Sequence, residues 1–302
     1  MSIEPGSFRL ADGRLMGFAE YGDRDGTPVL FCHGAPGSRW QVHPRMADSA
    51  AHIGVRLIVP ERPGYGLSDP YPDMTHLDWA SDAGELMDSL DIGRYAMLGY
   101  SMGGIYAMAC GYHQPDRVSS IAVVGGMAPN PFEPEVAAAM APAVVQTLLA
   151  ARDNPDTLAQ LIDSLADNPA QLLEMMAESL PPADRIAMAD PAIEASFLKS
   201  CEAALRNNGV GLFRDFLLAS RDWQFSPNDV STEVLLWHGT ADVNVPPAMA
   251  TYLSSHLPNC HLTLLPGEGH CCLFRHWDEI LQALHARRLQ ATLPASAESV
   301  II

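Results

Sequence analysis

The sequence predicts an α/β protein, a mainly parallel sheet covered by helices on both faces, and three observations carry that expectation. Short apolar runs alternate with longer stretches of helical pattern, the rhythm that helical crossovers between parallel strands produce. The runs are apolar throughout, as in strands buried on both faces. Finally, Gly99-Tyr100-Ser101-Met102-Gly103 lies between the run Tyr95-Ala96-Met97-Leu98 and a small-residue helical pattern from Ile105 to Tyr112, so that strand, tight turn and helix succeed one another.

In chain order, Phe8 to Ala11 and Met16 to Tyr21, split by Asp12-Gly13, read as a leading hairpin. Val29 to Cys32, Leu57 to Val59, Tyr95 to Leu98, Ile121 to Val124, Val234 to Trp237 and Leu262 to Leu265 read as successive buried strands, completing a set of eight. Between Met127 and about Ser231 strand signals stop. That stretch is rich in Ala, Met and Leu, and prolines at 129, 131, 134, 142, 155, 169, 181, 182 and 191 break it into short helices. The expected organisation is a core of residues 1–126 and 232–290, a helical insertion at 127–231, and a poorly ordered tail at 291–302.

The 302 residues are 48% hydrophobic, ample for one large core with an insertion. A net charge of −18, from 18 basic and 36 acidic residues, argues against nucleic acid or an anionic membrane surface as partner. The six cysteines show neither a C-x-x-C pair nor Cys/His ligand spacing, so reduced thiols are expected, with no zinc site or disulfide framework. Met1-Ser2-Ile3-Glu4-Pro5 lacks a basic region followed by an apolar core, and no apolar run approaches membrane-spanning length. A soluble cytoplasmic protein is the expectation.

Gly99-Tyr100-Ser101-Met102-Gly103 fits a G-x-S-x-G elbow, whose glycines let backbone pass where a Cβ would clash and leave the serine hydroxyl exposed on a strained turn. Ser101 is thus a candidate nucleophile. Acyl transfer needs in addition a base, a carboxylate to orient it, and donors for the oxyanion. Asp242 follows the seventh strand run in Trp237-His238-Gly239-Thr240-Ala241-Asp242 and is the candidate acid. His270 follows the eighth in Pro266-Gly267-Glu268-Gly269-His270, where the glycines free the loop to swing an imidazole over the sheet edge, and is the candidate general base.

The order Ser101, Asp242, His270 is that of the α/β-hydrolases. The chain resembles this superfamily from about Phe8 to about Arg288, on the elbow, on His33-Gly34-Ala35-Pro36-Gly37-Ser38 after the third strand (an H-G-x-P-G loop), and on Glu61-Arg62-Pro63-Gly64-Tyr65-Gly66-Leu67-Ser68. The last segment resembles an R-G-x-G turn with an inserted Pro63 and is read as structural. The resemblance implies an eight-stranded α/β-hydrolase sheet with a helical cap after strand six. It also implies oxyanion donors at the backbone N–H groups of Ala35 and Met102; Pro36 has no N–H to give. A small-molecule acyl substrate is expected, and no metal or organic cofactor, since the triad makes its own nucleophile.

Other residues carry plainer readings. His33 and His238 precede glycines at strand ends and fit loop-holding roles; His113, His256, His261, His276 and His285 have no partner motif. Asp222 is a rival acid, but it does not follow a strand. Cys271 and Cys272, beside the base, have no basic neighbour in sequence to activate them and are read as packing. Met127, Met140, Met175, Met176 and Met188 either line an apolar pocket or pack cap helices together. Trp40, Met102, Met127 and Trp223 are candidate pocket walls from their places beside the catalytic loops.

A serine at the elbow argues against haloalkane dehalogenase and epoxide hydrolase chemistry, which needs a carboxylate there. A carboxylic-ester hydrolase leads. A proline-releasing aminopeptidase stays open, although its Gly-Gly-Ser-Trp-Gly elbow differs from this one, as do carbon–carbon bond hydrolases, hydroxynitrile lyases, cofactor-free haloperoxidases and a non-catalytic ligand receptor.

Overall fold

A computed structural model of the chain describes residues 6–178 and 180–290; the expectations for Met1 to Pro5 and for the tail at 291–302 lie outside the described residues. Eight strands form one sheet, β1 (Gly6–Arg9), β2 (Leu15–Gly22), β3 (Thr27–Cys32), β4 (Val55–Pro60), β5 (Tyr95–Tyr100), β6 (Val118–Val124), β7 (Val234–Gly239) and β8 (Cys260–Leu265), in spatial order β1-β2-β4-β3-β5-β6-β7-β8. β1 and β2 form the antiparallel hairpin around Asp12-Gly13, and β2 runs antiparallel to β4; the other pairs are parallel.

Because side chains alternate across a strand, an unbroken apolar run feeds two cores at once. Leu30, Met97, Ile121, Val123 and Leu236 point to one face, where they meet α2 (His76–Ser89), α3 (Gly103–His113) and α11 (Pro247–His256) through Trp79, Leu86, Tyr106, Met108 and Leu253. Val29, Phe31, Leu98, Ala122 and Leu235 point to the other, covered by α1 (Pro44–Ile53) and α12 (Trp277–Gln290) through Met46, Ala50, Trp277, Ile280 and Leu284. α2 starts where a capping box allows it: Thr75 and Asp78 satisfy each other's backbone N–H groups. β8 departs from the expected buried strand. It is the outermost strand, paired only with β7, and Leu264 on it is 44% exposed.

Between β6 and β7 lie α4 (Pro134–Ala139), α5 (Pro142–Asp153), α6 (Pro155–Ser164), α7 (Pro169–Glu178), α8 (Pro182–Met188), α9 (Pro191–Leu205) and α10 (Val210–Ala219). Six of the prolines read as breakers, at 134, 142, 155, 169, 182 and 191, each open a helix. A first-turn N–H has no intrahelical partner, so proline forfeits nothing there, and its fixed φ suits the helix. Among the described residues no helix is long and apolar enough to cross a membrane.

These helices are tied to the sheet by charge as well as apolar contact. Arg62, fully buried after β4, donates to Asp215 on α10, with Nη2 to Oδ2 at 2.5 Å, and to the carbonyls of His33 and Gly34 at 2.5 and 2.8 Å. Tyr65 and Tyr106 complete the carboxylate's shell with hydroxyl donors at 2.6 and 2.7 Å. Removing one partner of such a pair leaves an uncompensated charge in the interior. Asp215→Asn is therefore expected to lower unfolding free energy by about 3–5 kcal/mol in urea titrations, whereas Tyr106→Phe, which deletes one hydrogen bond, is expected to lower it by about 1 kcal/mol.

Candidate active site

Ser101 stands at the end of β5 with φ +55°, the left-handed region that a residue with a Cβ adopts only when its surroundings enforce it. The enforcement is visible. Ser101 N–H is held by the Val124 carbonyl at 2.9 Å, and a Cβ on Gly103 would lie 2.0 Å from the carbonyl oxygen of Cys32. Only glycine lets the start of α3 pass that close to β3. The turn is thereby locked, and the Ser101 side chain lines a cavity above the sheet.

Asp242 and His270 come together from the loops after β7 and β8. His270 Nδ1 lies 2.7 Å from Asp242 Oδ2, while Oδ1 of the same carboxylate accepts the N–H groups of Asn244 and Val245, each at 2.9 Å. Asp242 is thus fixed by its own loop and accepts from the imidazole. Burial alone would lower the His270 pKa, but the Asp242 charge and hydrogen bond, with the charge of Asp184 adding to them, leave it raised above its ordinary value. His270 and Ser101 line the same cavity; no hydrogen bond joins them among the described residues, and such contacts tighten once substrate binds.

His33 and His238 hold loops. His33 Nδ1–H donates to the Gly34 carbonyl at 2.8 Å while Nε2 accepts the Arg62 N–H at 3.3 Å; burial, then the Arg62 charge, pushes its pKa well down. His238 Nε2–H donates to the Val245 carbonyl at 2.7 Å. Asp222 is exposed, away from the cavity lining. Cys271 and Cys272 are buried, and burial pushes the Cys271 thiol well above the ordinary range and the Cys272 thiol up to about 12, so neither is an activated nucleophile.

The loop after β3 brings Ala35 to the cavity that Met102 also lines. Neither residue's N–H donates a hydrogen bond among the described residues, so both donors are uncommitted. The cavity is about 230 Å³, with Leu158, Ile162, Leu165, Leu172 and Phe216 from the helices above and Ser101, Met102, Met127 and His270 from the sheet side among its lining residues. Among the described residues its lining contains no Asp, Glu, Lys or Arg. Of the cap methionines, Met175 and Met176 line it, whereas Met140 packs in the core and Met188 packs near Phe197 and Cys271.

Trp40 and Trp223 are corrections, since neither lines the cavity. Trp40 is turned toward charge, with the Arg39 guanidinium 4.9 Å and the Lys199 ammonium 4.8 Å from its ring. Trp223 packs against Phe225, 5.4 Å between ring centres, and His76. Two acidic residues of the insertion were not flagged by the sequence: Asp215, already described, and Asp184 on α8, whose carboxylate accepts the backbone N–H groups of His270 and Cys271. Each sits in an ordinary helical stretch, so only the fold shows what it faces.

A family model for the alpha/beta hydrolase fold matches residues 27–276. The chain is similar to the pimeloyl-[acyl-carrier protein] methyl ester esterase of Aromatoleum aromaticum, 31% identical over 229 residues that cover 74% of this chain and 83% of that protein. It is also similar to the proline iminopeptidase of Neisseria gonorrhoeae, 28% identical over 131 residues, a match spanning less than half of either protein at 42% of each. Among solved structures, an esterase from Thermogutta terrifontis shares the fold with a TM-score of 0.70 at 20% identity, over 96% of this chain and all of that one. The match to the family model over most of the chain and the sheet order agree, and the chain belongs to the α/β-hydrolase fold family.

Proposed function

We propose that the protein is a serine ester hydrolase acting on an uncharged acyl substrate through Ser101, His270 and Asp242, with residues 1–126 and 232–290 as catalytic core and 127–231 as a cap that selects the substrate. The observation that carries this reading is the buried Asp242–His270 pair at 2.7 Å on the wall of an apolar cavity that Ser101 also lines. Ser101 Oγ attacks the acyl carbon as its proton passes to His270 Nε2, and Asp242 stabilises the resulting imidazolium. The N–H groups of Ala35 and Met102 receive the oxyanion. The imidazolium then protonates the departing alcohol, leaving an acyl-Ser101 intermediate. Water deprotonated by the neutral imidazole attacks that ester, and the imidazolium returns the proton to Ser101 Oγ as the acid is released.

Lining chemistry favours an ester over the other reactions of this fold. An ammonium or carboxylate on the substrate would enter an apolar cavity without a counter-charge, at a desolvation penalty of several kcal/mol. This weighs against a peptide with a free amine and against dicarboxylate products of ring cleavage. The cavity is smaller than the ~300–1,000 Å³ that holds drug-sized ligands, which points to a modest acyl chain. The relative from Aromatoleum aromaticum is named as an ester hydrolase, in accord with this reading.

Hydrolysis of a p-nitrophenyl ester series from acetate to long acyl chains tests it. Turnover is expected to peak at an intermediate chain length, to fall for esters bearing a terminal carboxylate, and to drop on the order of 10⁶-fold in Ser101→Ala; wild-type turnover in that variant would end the serine-nucleophile reading. The pH profile supplies a second test. His270 acts only when neutral, and its raised pKa places the acid limb of kcat/KM above the 6.5 of an ordinary imidazole, with activity lost as pH falls through it. Asp242→Asn removes the main cause of that rise. The limb is then expected to move to lower pH while kcat falls by about 10⁴-fold, and an unmoved limb would argue against Asp242 as the partner.

A further inference from the structure

The imidazole of His270 is gripped from the core by Asp242, and its backbone is gripped from the opposite side. Asp184, on α8 and 1% exposed, accepts the His270 N–H through Oδ2 at 2.9 Å and the Cys271 N–H through Oδ1 at 2.7 Å. Both carboxylate oxygens are committed to two consecutive backbone groups of the base's own loop, and among the described residues no cation pairs with them. The loop is shaped to receive this carboxylate. A Cβ at Gly269 would lie 2.4 Å from each Asp184 oxygen, so the residue before His270 must lack one.

We infer that Asp184 is a positioning residue for the proposed base: a clasp through which the insertion between β6 and β7 fixes the His270 loop, so that the imidazole is aligned only while α8 is docked on the core. The inference rests on the Ser101-His270-Asp242 reading above. Two buried hydrogen bonds to a carboxylate are charge-assisted and hold the backbone more tightly than neutral ones would. A displacement of about 1 Å in a catalytic group lowers rate by about 10²-fold. Asp184 also lends negative charge to the imidazolium that forms during attack, adding to Asp242. Among the described residues, the other titratable groups beside His270 add no charge near neutrality, Cys272 included, its thiol pushed up to about 12 by burial. His238, 3.5 Å from Asp242, is kept neutral by burial, and burial raises the hydroxyl of Tyr100, whose ring lies 5.2 Å away on β5, and the Cys271 thiol.

Asp184→Asn and Gly269→Ala, the second leaving the carboxylate in place but denying it its seat, are to be compared with the wild type and Ser101→Ala on a neutral p-nitrophenyl ester, at a temperature well below the Tm of each variant. Both are expected to lower kcat by roughly 10- to 100-fold with KM changed by less than about threefold. In Asp184→Asn the acid limb should also shift to lower pH, because the lost charge had favoured the protonated imidazole. Gly269→Ala decides the matter if Asp184→Asn does not fold. Wild-type kcat and an unmoved acid limb in a folded variant would overturn the inference, as would activity loss that merely follows the fraction unfolded. Activity retained by Ser101→Ala would instead overturn the triad on which the inference stands.

Discussion

The buried guanidinium of Arg62 is the interaction on which the geometry around the cavity depends. It faces three acceptors on two different parts of the molecule: the carbonyls of His33 and Gly34, just ahead of Ala35, and the Asp215 carboxylate on α10. Those two carbonyls are thereby fixed immediately ahead of Ala35, the residue proposed as an oxyanion donor. With Asp215 held by Arg62, Tyr65 and Tyr106, α10 closes over the same loop, and Phe216, the next residue, reaches the cavity. A hydrophobic trio of equal volume could stabilise the fold as well. It could not fix the direction of two successive carbonyls, which is what this ion pair contributes.

Much of this architecture was legible in the sequence because it follows from short-range rules. Unbroken apolar runs such as Val29 to Cys32 fit strands covered on both faces, and there the alternate residues do divide between the two cores. The elbow was legible for the same reason: Gly103 is required where backbone passes backbone, and that requirement leaves a trace in the local sequence. Six of the nine prolines read as breakers in the insertion mark where helices begin; those at 129, 131 and 181 do not.

What the sequence concealed involves contacts across long separations. Asp215 and Arg62 are 153 residues apart, and Asp184 and His270 are 86 apart; neither aspartate carries a local motif. Trp40 and Trp223 were chosen by nearness in sequence to catalytic loops, yet a residue one or two places from a loop can face the other way. Trp40 lies outside the cavity lining, with Arg39 and Lys199 in cationic contact with its ring. β8 was read as fully buried because hydrophobic pattern alone does not reveal which strand ends the sheet.

The insertion contributes differently along its length. α6, with Leu165 just past its end, and α7 supply Leu158, Ile162, Leu165 and Leu172 to the cavity wall. α8 and α10 supply Asp184 and Asp215, the first bound to the loop of the proposed base and the second bound, through Arg62, to the loop of the proposed oxyanion site. Apolar side chains in a cavity wall can change in size with modest energetic consequence, whereas a buried carboxylate that accepts through both oxygens cannot be replaced by an apolar residue without leaving donors unpaired. Under the proposed reading the cavity lining and the carboxylates that hold the two loops come from one insertion, and α10 supplies both, Phe216 to the cavity and Asp215 to Arg62. Under that reading, changes at the cavity-lining residues of α6 and α7 reshape the pocket while the hydrogen bonds of Asp184 to the His270 loop and of Asp215 to Arg62 stay in place.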